Sequence, residues 1–174
     1  MEVIEGTATV EDVDAFVEEL GAIGAEYGVA VQAFDARYVV GREHLERAVA
    51  LANRAAERDE MIARNRAVEI LLYAAGRRQI NRALEIGVDE GTTPAVVVVD
   101  DGPAGGDEAD AAGGDEAGAA AAVGDLLDPA ATLGEYDRER VMDFFDISER
   151  ELGATEGTLA DVVCERVALL TVER

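Results

Sequence analysis

"PAVVVVD", residues 94 to 100, decides how this chain folds. A strand with one wet face alternates apolar and polar side chains, whereas one covered on both faces runs apolar without a break. Four consecutive valines therefore predict a buried, central strand, opened by Pro94. Working outward, "MEVIEGTATV" at residues 1 to 10 alternates and reads as an edge strand. "GVAVQAFDARYVV", Gly28 to Val40, reads as one or two more strands. Between these lies a helix from Glu11 to Tyr27, with Val13, Phe16, Val17, Leu20 and Ile23 at helical spacing. A second runs from about Arg42 to Arg58 and buries Leu45, Ala48, Ala52 and Ala55; a third spans Asn65 to Ala75. Gly76 marks a corner, and Arg78 to Ile86 is predicted as a short helix ended by Gly87, with Ile80, Ala83 and Leu84 turned inward. Further helices are expected near Tyr136 to Phe145 and Leu159 to Arg166, and "VALLTV" at residues 167 to 172 as a closing strand. The sum is a single α/β or α+β domain over residues 1–174, with a small mixed or antiparallel sheet of four or five strands packed with five or six helices.

One segment breaks this pattern. "DGPAGGDEADAAGGDEAGAAAAVG", residues 101 to 124, is almost wholly Gly, Ala, Asp and Glu. Such a composition buries too little apolar surface to offset ordering entropy, so residues 102–124 read as a solvated acidic insertion. Its acids lack the fixed ligand spacing of a calcium loop.

Charge bounds the function. The chain carries 38 carboxylates against 15 basic residues, a formal net charge of -23, and every basic residue is arginine. With 49% apolar residues a core is affordable, so the composition reads as a folded protein adapted to very high salt. Met1 to Ala8 shows no basic start followed by an apolar stretch, and no apolar run approaches the roughly 20 residues of a membrane span. A single cysteine fits a reducing compartment, and the chain is expected to be cytoplasmic, with no membrane partner.

The absence of lysine excludes the Walker phosphate loop, Schiff-base chemistry and a kinase-type lysine. One histidine, His44, cannot build a paired-histidine metal site. It lies in the first turn of a helix and is expected to be exposed. Cys164 falls at helical spacing among Val162, Val163 and Val167 and reads as a buried structural thiol rather than the partner of His44. No catalytic residue, metal or cofactor is expected, and the chain reads as a non-enzyme.

The positive charge is concentrated. Between Arg37 and Arg82 stand ten arginines against six carboxylates, the footprint of an anion-binding face. Arg47, Arg54 and Arg58 form one helical stripe opposite the apolar side. Arg77 and Arg78 have no acid within several residues. Two readings of Gly76 stand side by side. If it breaks the helix, Arg78 begins a new one and an anion there meets arginine forks and free N–H groups. If the helix runs through, the arginines pair with acids across a turn.

"EILLYAAGRRQINRAL", residues 69 to 84, resembles the Glu-Ile-Leu-x-x-(Ala/Ser)-(Ser/Ala)-Gly-x-Arg-Gln-Ile-x-x-Ala segment of the Cgi family, the kinase-binding, tRNA-recruiting subunit of the KEOPS complex. Gly76, Arg78, Gln79 and Ile80 match, with Ala75 where serine is frequent. "VQAFDARYVV", "GREHLERAVALANRA" and "ERVALLTV" follow the same order along the chain. The resemblance implies a subunit without catalysis of its own, supporting threonylcarbamoyladenosine modification of tRNA. It would dock on the small atypical kinase, an ATPase, and capture the single-stranded 3′ CCA end of tRNA. In that reading Gly76 permits close approach of RNA and backbone, Arg77 and Arg78 hold phosphate or stack on bases, and Gln79 and Asn81 read base edges beside Ile80 and Arg82. A protein-only adaptor without RNA, or a small-molecule-binding α/β domain, are the alternatives.

Overall fold

The computed structural model describes residues 1–103 and 114–172. Strand β3 (Gly91–Asp100) is the centre of the four-stranded antiparallel sheet, order β2-β3-β1-β4. It pairs with β1 (Glu2–Val10) along that strand's whole length and with β2 (Ala30–Asp35) on the other side. Val96, Val97, Val98 and Val99 are all fully buried because both faces of the sheet are covered. On one face α1 (Val13–Tyr27) and α5 (Glu116–Gly124) pack with Val97 and Val99. On the other, α2 (Arg42–Glu57), α3 (Arg66–Ala75) and α8 (Leu159–Leu169) pack with Val96 and Val98. At about 1.5–3 kcal/mol for each buried valine, this run is a principal anchor of the fold. The edge position expected for β1 holds except opposite Gly6 and Thr7, where the two-residue β4 (Asp128–Pro129) pairs with it.

The buried stripe of α2 is Leu45, Ala48, Ala52 and Ala55, as its periodicity predicts, with Arg47, Arg54 and Arg58 exposed. Asn65 caps α3 by accepting from the Val68 N–H at 2.9 Å. The fold is α+β, with eight α-helices among the described residues; α4 (Ile80–Ala83), α6 (Arg138–Phe144) and α7 (Glu149–Ala154) complete them.

Three expectations are corrected. The segment 102–124 is not a loop throughout: residues 104–113 lie outside the described residues, but Glu116–Gly124 is helix α5, capped by Asp115 accepting from Gly118 N–H at 2.9 Å. Its Ala119 and Val123 are fully buried against the sheet. Small residues let it lie close to β1, so a composition typical of loops serves packing here. "VALLTV" is not a strand. Residues up to Leu169 continue α8, which buries Val162, Val163, Val167 and then Leu170 at helical spacing. His44, finally, is fully buried.

Candidate functional site

The corner after α3 is built by backbone geometry. Gly76 takes the left-handed conformation at φ 62°, and the N–H of Arg77 bonds back to Leu72 O at 3.1 Å, closing the helix. A Cβ at Gly76 would lie 3.2 Å from the carbonyl oxygen of Arg166 in α8. Gly76 therefore has a close approach to the protein's own backbone that requires glycine. The helix ends at the corner, and only the single turn α4, followed by a 3-10 turn over Leu84–Ile86, replaces the longer helix expected from Arg78.

His44 supports this corner from beneath. Its Nε2–H donates to Ala74 O at 2.8 Å, one of the terminal carbonyls α3 cannot satisfy itself, and its Nδ1 accepts from the Val40 N–H at 3.3 Å. Burial lowers its pKa to about 4, against the opposing pull of the Ala74 carbonyl, so the ring is neutral at neutral pH. Both ring nitrogens are used by backbone, leaving neither for Cys164. That thiol is buried, and burial raises its pKa. It is a structural cysteine.

Arg77 points inward. Its guanidinium donates to Phe144 O, lies 5.2 Å from the Phe144 ring centroid and reaches Asp146 at 3.7 Å. Asp146 sits in the turn after α6 at φ 54°, and Arg166 grips the same turn through Phe145 O at 3.2 Å. Arg77 thus ties the corner to the helical layer through partners distant in sequence.

From Arg78 onward the chain faces solvent. Arg78, Gln79, Ile80, Asn81 and Arg82 are all exposed. The guanidinium groups of Arg78 and Arg82, like those of Arg54, Arg58 and Arg64, have no ion pair or hydrogen bond among the described residues, whereas Arg37, Arg42, Arg47, Arg66 and Arg77 each pair with a carboxylate. Gln79 occupies the N-cap position of α4 without a side-chain cap bond, and its carboxamide has no hydrogen bond among the described residues. Among the described residues the Asn81 side chain accepts only from the neighbouring Arg82 N–H. Ile80 is 48% and Leu84 57% exposed, contrary to the expectation that both turn inward; Ala83 and Ile86 fill the inward positions. The structure therefore gathers two forked cations, two amides and two apolar side chains on one small outward surface.

A family model described as kinase binding protein CGI-121 matches residues 9–171. The chain belongs to the CGI-121 family. None of the curated proteins compared with it matches. The match spans nearly the whole chain, so the corner, α5 and strands β2, β3 and β4 lie within the matched residues, while most of β1 precedes them; the family is described as kinase-binding.

One acidic cluster could hold a cation: carboxylate oxygens of Asp100, Asp101 and Glu116 lie within 4.8 Å of one another. The chain's own cations already occupy it. The N-terminal amine of Met1 pairs with Glu116 at 2.8 Å and Asp100 at 3.6 Å, and Asp100 also binds Arg66. No helix among the described residues is long and apolar enough to cross a membrane.

Proposed function

We propose that this chain is the tRNA-recruiting, non-catalytic subunit of a cytoplasmic KEOPS complex, docking on the complex's small kinase/ATPase and holding the single-stranded 3′ CCA end of tRNA. The observation that carries the reading is the exposed pair Arg78 and Arg82, without a partner among the described residues, beside Gln79, Asn81 and Ile80, in a chain of net charge -23. Arginine forks grip phosphate and stack on bases, amides read base edges, and an apolar side chain offers a base a dry face. Gly76 and Arg77 act indirectly, by holding the corner in shape. Kinase docking rests on the family description. Filter binding of intact tRNA and of tRNA trimmed of its CCA end tests the RNA half. Trimming weakens binding at least roughly tenfold if the bases of the end supply contacts of about 1–3 kcal/mol each. Equal binding of both tRNAs contradicts the site. Partner affinity unchanged by nuclease, with no RNA bound in molar salt, favours the protein-only adaptor.

A further inference from the structure

A groove of about 920 Å³ runs along the outer edge of β2, and none of residues 78–82 lines it. Among the described residues β2 has a neighbouring strand on one side only, so alternate N–H and C=O groups along its six residues face away from β3. Folded proteins usually blunt such an edge with proline, a bulge or charge. "AVQAFD" has no proline and no cation, and its one charge, Asp35 at the end, is bound by Arg37 at 2.7 Å. One wall of the groove is the apolar face of α1, with Val13, Phe16 and Val17; the other is the first turn of α3, with Ala67 and Val68. Val17 and Leu84, each 57% exposed, stand at this groove, two of the five large apolar side chains exposed among the described residues.

Charge distinguishes the occupant. The cations beside the groove are already used, Arg37 by Asp35, Arg140 by Asp137 at 3.3 Å and Arg66 by Asp100. Glu85 and Asp89 are exposed where the chain leads into β3 beyond the end of β2, and neither has an ion pair among the described residues. The groove therefore has the β2 backbone along its floor, where the Ala33 carbonyl already accepts from the Gln32 side chain at 2.9 Å, with apolar walls on both sides and an acidic end that has no ion pair among the described residues. Phosphates would meet the acidic end unfavourably, and a second copy of β2 brings no basic residue to it.

We infer that this groove receives an extended segment of a partner protein, which adds to β2 as a new edge strand. Its branched apolar side chains lie against α1 and α3, and a basic residue meets Glu85 and Asp89. Main-chain bonds supply affinity and the walls supply selection. This inference differs from the RNA reading: the two surfaces adjoin at Leu84, but none of residues 78 to 82 lines the groove.

The test uses the full chain and a synthetic peptide as long as β2, built of valine and isoleucine with arginines at one end. Hydrogen exchange of β2 amides should slow by roughly tenfold or more on binding, and N-methylation of alternate peptide amides should weaken binding by a similar factor. Gly21→Trp is chosen to block the α1 wall, because Gly21 lines the groove and a Cβ there meets nothing within 4 Å. That variant should lose the peptide yet melt as the wild type does and keep its tRNA affinity. Glu85→Lys should weaken the arginine-bearing peptide and spare one without arginine. Absence of β2 protection at saturating peptide, equal binding of the N-methylated peptide, an unaffected Gly21→Trp protein, or β2 protection by a CCA-ended oligoribonucleotide instead would each overturn the inference.

Discussion

At the N-terminal end of α3, Arg66 is buried and bonded to Asp100 and to Asn53 Oδ1 at 2.6 Å, while just past the C-terminal end Arg78 and Arg82 stand in solvent with no partner among the described residues. Both sets belong to one basic stretch of sequence. Burial separates them. A guanidinium removed from water must be met by a carboxylate and hydrogen bonds, and Arg66 meets both. Glu69 does the complementary task one turn on, accepting from the N–H groups of Ile62 and Ala63 at 3.0 and 2.7 Å and so fixing the loop before α3. The exposed arginines contribute nothing comparable to the fold. In a chain with few cations, an arginine left without a carboxylate is available for a partner.

The comparison can be broken first at the buried end. Arg66→Met leaves the buried Asp100 with only the more distant Met1 amine, at 3.6 Å, as a cation and should cost up to about 3–5 kcal/mol, read as a lowered denaturation midpoint in high salt. The protein that remains folded should bind tRNA as before. A stability unchanged within error would mean that the buried pair is dispensable and the contrast false.

Acid should act next, through His44. Its pKa is lowered from 6.5 to about 4 on folding, so between those values the unfolded chain binds more protons. The stabilisation from the neutral ring is complete above pH 6.5 and is lost as pH falls towards about 4, roughly 3 kcal/mol in all. Denaturation of the wild type and of His44→Gln across that window should give a steeper pH slope for the wild type. Parallel slopes would place the acid sensitivity elsewhere.

Gly76→Ala sharpens the contrast at the corner itself. The left-handed φ and the carbonyl of Arg166 at 3.2 Å together should cost about 1–3 kcal/mol of stability. RNA affinity should fall only as far as the position of Arg78 shifts.

How much of this was legible in the sequence follows from what each signal measures. The valine run of β3 and the stripe of α2 were readable because burial on two faces, or on one helical face, writes a period directly. The Gly76 corner was readable from glycine's position after an apolar helix. Helix α5 was not, because it buries only Ala119 and Val123 and its remaining residues resemble a loop; Asp115 at its N-cap was the one local clue. Valine and threonine in "VALLTV" favour strands, but Val167 to Leu169 continue α8, with Val167 buried, and Leu170 to Val172 form a turn, tertiary burial overriding propensity. His44 carries no sequence mark of burial, since its partners Val40 and Ala74 belong to other elements. Arg77 and Arg78 are neighbours of equal chemistry, and only the distant turn at Phe144 to Asp146 assigns one inward and the other outward. Ile80 and Leu84 sit at helical spacing, but one turn of helix has room to bury only Ala83.

The most direct test of the account compares Arg78→Lys, Arg78→Glu and Arg150→Glu for CCA-ended tRNA binding in molar salt, with the melting temperature of each protein taken on the same samples. Screening over roughly 3 Å removes long-range attraction there, so the planar fork and its contacts should carry the affinity. Arg78→Lys is expected to bind about tenfold more weakly and Arg78→Glu not at all, while the exposed Arg150→Glu binds as the wild type does and all three melt alike. An Arg78→Lys protein with wild-type affinity for CCA-ended tRNA would contradict it.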